Sequence, residues 1–206
     1  EIKVVIGAFA KAAERWAKAG YEVVELHAAH GYLMHQFLSP LTNQRADGYG
    51  GSLENRMRFV LEIAAAVRKA WPDPLPLFVR ISATDWVEKG GWDVQQSVVL
   101  CGKLKEVGVD FIDVSTGGLI PNATIPAGPG YQVPFADAIR QGVGIPVGAV
   151  GQIVSPEQAE QIIATRQADA VIIGREMMRN PYWPLHAARA LGEDIAWPEP
   201  YARAKK

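Results

Sequence analysis

The chain has 206 residues, 49% of them hydrophobic and 21% charged, a balance that excludes disorder and permits a sizeable buried core. Its 21 basic residues nearly cancel 22 acidic ones, for a net charge of −1, so it has no basic stripe of the kind a nucleic-acid backbone requires. No apolar run approaches the roughly 18 residues that span a bilayer, the start lacks a basic-then-apolar leader, and the single cysteine, Cys101, has no intramolecular partner; a soluble protein of a reducing, cytoplasmic compartment, with no membrane contact, is expected.

Short apolar, β-branched runs alternate with longer segments of helical period, which predicts an α/β fold with a parallel sheet. A first helix is expected over about residues 4 to 19, with Phe9, Ala12, Ala13, Trp16 and Ala17 on one stripe and Gly20 as a left-handed stop. The strand Tyr21 to Leu26 follows, then a long loop. Ser52 caps a helix whose Phe59, Ile63, Ala66 and Val67 keep the apolar period to about Ala70. Leu75 to Ile81 is the second predicted strand. Asp93 with Gln96 three residues on resembles a capping box, opening a helix that carries Val94, Val98, Cys101 and Leu104 inward until Gly108 ends it. Val109 to Val114 is the third strand, followed by a Gly/Pro-rich loop, a short helix near residues 134 to 141, and the strand Ile145 to Ala149. Ser155-Pro156-Glu157-Gln158 supplies a cap, a proline at the first helical position and a capping-box Gln. Ala170 to Ile173 is the fifth strand, and the remainder is helical, interrupted at Pro181 and Pro184, with a polar tail. The whole chain reads as a single domain.

Five such units suit either a doubly wound sheet or part of an eight-fold barrel, and the glycines separate the two. Val147-Gly148-Ala149-Val150-Gly151 and Val171-Ile172-Ile173-Gly174-Arg175 are consecutive strands ending in glycine. Glycine lets backbone N–H groups approach an anion, and Arg175 can fork onto phosphate oxygens. Barrel enzymes commonly bind phosphate in the loops after strands seven and eight, so counting backwards makes the five strands numbers four to eight of a (β/α)8 TIM barrel; a full barrel of about 250 residues would include three more. No G-x-G-x-x-G follows a strand, which argues against a Rossmann site.

Near the carboxyl end of the first strand stand His27, His30 and Tyr32. Two imidazoles three apart beside a phenol can hold a developing oxyanion and deliver a proton. H-x-x-H can also supply two zinc ligands, with His35 the nearest third; no metal is expected. Arg80, amid the apolar second strand, requires a partner, either an anionic cofactor edge or a carboxylate on a neighbouring strand. No lysine stands at a strand end, which argues against a Schiff-base aldolase.

The run His27-Ala28-Ala29-His30-Gly31-Tyr32-Leu33, then Phe37-Leu38-Ser39-Pro40, Asn43, Arg45, Asp47, Tyr49-Gly50-Gly51-Ser52, Glu54-Asn55-Arg56 and Arg58-Phe59, resembles the Old Yellow Enzyme family of FMN-dependent ene reductases, and Phe78-Val79-Arg80-Ile81-Ser82, Gly148-Ala149-Val150-Gly151 and Ile173-Gly174-Arg175 extend the match in order. The His-x-x-His pair is similar to the thermophilic-like subgroup, which includes xenobiotic reductases. The resemblance implies a barrel that holds FMN noncovalently, is reduced by NAD(P)H and is reoxidised by an activated alkene. It implies that His27 and His30 bind the substrate's carbonyl or nitro oxygen, that Tyr32 protonates the α-carbon, and that Arg80 lies at the flavin pyrimidine edge. Gly151, Gly174 and Arg175 would hold the FMN phosphate, with Ser115 a further cofactor or pocket contact. Arg203, in Tyr201-Ala202-Arg203, resembles a subgroup arginine that reaches a neighbouring subunit's site, so a homo-oligomer is expected. The family's first three strands, with their flavin contacts, have no counterpart here; a small-molecule enone, together with the missing N-terminal half or another subunit to complete the barrel, are the expected partners. A flavin-free, phosphate-binding barrel enzyme and an inactive half-barrel are the alternative readings.

Overall fold

The computed structural model describes residues 1–205. Five parallel strands, β1 (Val24–Ala28), β2 (Leu77–Ser82), β3 (Phe111–Ser115), β4 (Val147–Val150) and β5 (Ala170–Ile172), lie side by side in chain order. Before β1 comes helix α1 (Ile2–Lys18), and α2 (Leu33–Leu38) and α3 (Leu53–Ala70) lie between β1 and β2. Helices α4 (Val94–Glu106), α5 (Val133–Val143) and α6 (Pro156–Ala164) make the next three crossovers, and α7 (Arg175–Arg179) and α8 (Trp183–Ala190) follow β5. A short 3₁₀ helix, Glu199–Ala204, comes last among the described residues. Among the described residues no helix is long and apolar enough to cross a membrane.

A strand order that never reverses decides the architecture. Right-handed crossovers that all step in one direction put every helix on the same side of the sheet, whereas a doubly wound sheet must reverse at a switch point. The chain is therefore an arc of a TIM-type barrel, as the glycine pattern predicts.

The local signals work as read. Ser52, Asp93 and Ser155 each accept a first-turn N–H, from Asn55, Gln96 and Gln158; such caps contribute about 1 kcal/mol each. The capping box at Asp93 is only half formed, because the Gln96 amide donates to Gly91 O instead of returning to the cap. Gly20 (φ +84) closes α1 with Gly20 N–H to Ala17 O and Tyr21 N–H to Trp16 O, a Schellman pair, and Gly108 (φ +90) does the same for α4 through Lys105 and Leu104.

The structure departs from the expected boundaries at β1, which begins at Val24 and not at Tyr21. Tyr21 is spent on the Schellman turn, its ring 4.2 Å from that of Trp16, so His27 sits inside the strand. Helix α2 falls in the segment read as loop; six residues are too few for a helical period to declare itself.

The core lies on the helix side of the sheet. Leu77, Val79, Ile81, Ile112, Val114 and Val147 are fully shielded there, against Ile63, Leu100 and Leu104 of the covering helices. Cys101 belongs to this layer, and burial pushes its thiol pKa up, leaving an inert thiol.

Candidate active site

Alternation along each strand sends the other set of side chains to the opposite, inner face. The register aligns His27 with Arg80, Arg80 with Asp113 and Asp113 with Gly148, one row across four strands. Gly148 is required by packing: a Cβ there would lie 2.6 Å from Ile172 and 2.9 Å from the Phe111 ring. Arg80 Nε stands 3.1 Å from Asp113 Oδ2, but misaligned, so that Arg80 Nε and Asp113 Oδ1 are both buried without a hydrogen bond. Burial, which outweighs the attraction of Arg80, pushes the Asp113 carboxyl up to about 7. The strand carboxylate foreseen as one partner for Arg80 is thus present, while the guanidinium also lines the cleft described below.

Beyond His27 the chain makes a tight turn with His30 (φ +56) and Gly31 (φ +77) consecutively left-handed. The turn is held by its neighbours: His30 N–H donates to Ser82 Oγ at 3.0 Å, and Ser82 Oγ–H donates to Gly117 O at 2.8 Å. The His30 ring lies 5.2 Å from the His27 ring, and the Tyr32 ring lies 5.1 Å from His27. Burial, reinforced by the Arg80 charge, lowers the pKa of His27, and the same causes with His27 and His35 bring His30 down to about 4. Both rings are therefore neutral at pH 7.

Ser115, at the end of β3, ties this turn to the rest of the face. Its Oγ lies 2.8 Å from His30 Nε2 and 3.4 Å from Gln132 Oε1. That amide oxygen already takes the Thr116 hydroxyl at 2.5 Å, and the Gln132 NH₂ group donates to Val150 O at 2.8 Å.

Ser115 and Arg80 also line a cleft of about 550 Å³ whose far wall is Gly151, Gly174 and Arg175; this is the size of an ordinary small-ligand pocket. Gly151 has φ +134, and a Cβ there would press on the Gln132 amide and the Tyr131 ring at 3.1 Å. Nothing lies within 4 Å of the space a Gly174 side chain would take, and the first-turn N–H groups of α7 have no partner within the helix. Among the described residues no carboxylate pairs with Arg175, whereas Arg179 is held by Glu176 at 2.6 Å.

The residues assigned to the site in the sequence, His27, His30, Tyr32, Arg80, Ser115, Gly151, Gly174 and Arg175, thus meet on one face or at its rim. Arg203 lies in the exposed 3₁₀ helix, packed away through Tyr201 on Tyr182 at 5.6 Å. His35 does not join His27 and His30 as a ligand; it turns inward to Asp85. The sequence reading missed Ser82, Gln132 and Asp85. Ser82 stands at the end of β2 and Gln132 directly before α5, after a Gly/Pro loop, whereas Asp85 lies in a loop with no such signal.

The long motif after Tyr32 is mostly fastening. The Asn43 amide donates to Phe37 O and Tyr49 O, Asn55 to Gly50 O, and Arg58 to Gly48 O, while Arg56, nearly buried, binds Leu38 O and Gly51 O. These bonds strap the α2–α3 loop to α3.

Taken together, the one-way sheet and the glycine–arginine cleft beside the histidine pair define a TIM-type barrel with a candidate active site at the carboxyl ends of its strands. The chain belongs to the NADH:flavin oxidoreductase / NADH oxidase family, whose profile matches residues 1–194; the family pairs FMN with a nicotinamide reductant. It is 50% identical over 205 residues to an NADPH dehydrogenase of Listeria monocytogenes serotype 4b, covering 100% of this chain and 60% of that protein. With an NADPH dehydrogenase of Geobacillus thermodenitrificans it shares 51% over 203 residues, 98% of this chain and 58% of the relative. Morphinone reductase superposes with a TM-score of 0.75 at 29% identity, over 98% of this chain and 52% of that one. A 2-naphthoyl-CoA reductase in complex with 2-naphthoyl-CoA gives 0.85 at 32%, over 94% and 30%. The chain spans about 60% of the length of the curated relatives it matches.

Proposed function

We propose that this chain is the C-terminal portion of a flavin-binding barrel whose whole protein reduces activated alkenes, α,β-unsaturated carbonyl or nitro compounds, at the expense of NAD(P)H. The observation that carries the reading is the shared face: His30 is hydrogen-bonded to Ser115, and Ser115 lines the same cleft as Arg80, Gly174 and Arg175.

The residues fit FMN. The open backbone at Gly174, the constrained Gly151 and the unpaired Arg175 suit a phosphate, and Arg80, incompletely satisfied by Asp113, has donors to spare for an electron-rich ring edge. FMN, when bound, supplies hydride taken from the nicotinamide to the alkene β-carbon.

The chain's own part is to bind oxygen and move a proton. Ser115 Oγ lies 2.8 Å from His30 Nε2 and 3.4 Å from Gln132 Oε1, which also takes the Thr116 hydroxyl, so the nearer acceptor for the Ser115 proton is His30 Nε2. That bond places the proton of a neutral His30 on Nδ1, where it can be donated to a substrate oxygen together with that of His27. Tyr32, 62% exposed and beside His27, holds the proton for the α-carbon.

The unpaired edges of β1 and β5 and the bare inner face call for completion by the rest of the barrel, and Arg203 is assigned to the site of another copy in a homo-oligomer. The test uses the full-length protein. Its flavin absorbance bleaches on adding NADPH and recovers on adding 2-cyclohexenone; a flavin that bleaches but does not recover sinks the alkene assignment, and absence of flavin sinks the whole reading in favour of a flavin-free phosphate enzyme.

A further inference from the structure

We infer that His35 and Asp85 form a positioning couple for the oxygen-binding site, acting on His30 through the peptide N–H of Gly31. The inference rests on the alkene-reductase reading and adds to it two residues that line neither the cleft nor the inner face.

Both side chains are fully buried. His35 Nδ1 accepts the Gly31 N–H at 3.0 Å, and a ring nitrogen that accepts carries no proton. The proton of the neutral ring is therefore on Nε2, which points at Asp85 Oδ1 from 2.9 Å. Asp85 Oδ2 takes the Ser39 hydroxyl at 2.6 Å and the Trp92 N–H at 2.8 Å. Burial alone would raise the Asp85 carboxyl, but the donors from His35, Ser39 and Trp92 outweigh it and hold it below the ordinary carboxylate range. An ionised carboxylate thus fixes the tautomer and orientation of His35, and His35 fixes a backbone amide.

That amide sits where backbone freedom would do most damage. His30 and Gly31 are consecutive left-handed residues, and left-handed backbone at a non-glycine residue persists only where the surroundings over-determine it. Gly31 is gripped through both of its flanking peptide groups, its N–H by His35 and its carbonyl by the Gln36 amide at 2.7 Å. Gly118 backs the turn so closely that a Cβ on it would meet His30 Cα at 2.6 Å. Releasing the N–H lets the turn relax and carries the His30 ring off Ser115. Small misplacements of a binding group are expensive in affinity and rate.

The test titrates full-length holoprotein with 2-cyclohexenone, following flavin absorbance, and measures the FMN dissociation constant of the same samples. His35→Leu, which removes the acceptor for Gly31, is expected to weaken enone binding about tenfold with FMN affinity unchanged. His35→Asn, whose Oδ1 takes the place of Nδ1, is expected to recover most of the loss. Equal enone affinity in wild type and His35→Leu overturns the inference, as does a parallel loss of enone and FMN that His35→Asn does not relieve. Should His35→Leu fail to fold, Ser39→Ala decides: a two- to threefold weakening of enone binding alone supports the couple, and no change overturns it. A wild-type protein that binds FMN but gives no enone response removes the reading beneath the inference, a result distinct from either variant outcome.

Discussion

The two faces of the sheet differ in kind. Toward the helices, alternate residues of β2 and β3 are apolar and fully shielded; toward the inner face, the intervening residues are Phe78, Arg80, Ser82, Phe111, Asp113 and Ser115, and several of them remain partly open. The outer layer alone closes a core. The inner layer carries the candidate site, and it is the layer that a barrel completes only when all eight strands close. A half-barrel can therefore have a settled fold and an unfinished site.

The largest effect that separates the faces is on stability. Ile63→Ala removes a fully buried side chain from the helix-covered layer and is expected to cost about 2–5 kcal/mol in urea unfolding. Phe78→Ala, on the half-open inner face although stacked on Phe111 at 4.5 Å, is expected to cost distinctly less in the 206-residue chain. Equal costs would mean that the inner face is as well packed as the outer, and the two-face contrast would fall.

The next effect sharpens the contrast within the inner face. Arg175→Ala in the full-length protein removes a charged hydrogen-bond donor worth about 1.5–3 kcal/mol, a loss of roughly ten- to a hundredfold in FMN affinity by the usual conversion. Because no described residue pairs with Arg175, the unfolding midpoint without FMN should stay put. An FMN affinity unaltered by Arg175→Ala would leave the glycine cleft without its proposed ligand.

The outer face was the legible part in the sequence, since apolar period and capping residues are local properties. Ser52, Asp93, Gly20 and Gly108 act where their residue types say they should. Of the site, the histidine pair, Arg80 and the two glycine turns stood out because each breaks an apolar strand at its carboxyl end. What stayed hidden was relational. Asp85 is 50 residues from His35 and Gln132 is 16 from Thr116, and no period or spacing announces a contact made by folding. The start of β1 was misplaced for a related reason: Tyr21 and Val23 are as β-prone as Val24, but the Schellman turn claims the first and neither pairs with β2.

The smallest effect concerns pH, and here two residues of one face oppose each other. Asp113 has its folded pKa raised from 3.8 to about 7, so the stability it contributes is fully present below about pH 4 and is lost as pH rises through 7. His30 has its folded pKa lowered from 6.5 to about 4, so its contribution is present above 6.5 and is lost as pH falls toward 4. Between pH 4 and 6.5 the slopes have opposite signs, and the urea midpoint of the 206-residue chain should owe little net pH dependence to this pair. Asp113→Asn removes one slope and should make the midpoint climb with pH across that window; at pH 8, where the buried charge no longer has to be held, the variant should be the more stable by a few degrees in Tm. His30→Gln should tilt the curve the other way. A midpoint whose pH dependence is the same in all three proteins would show that Asp113 is not buried as the inner row requires, nor His30 as the turn beyond β1 requires.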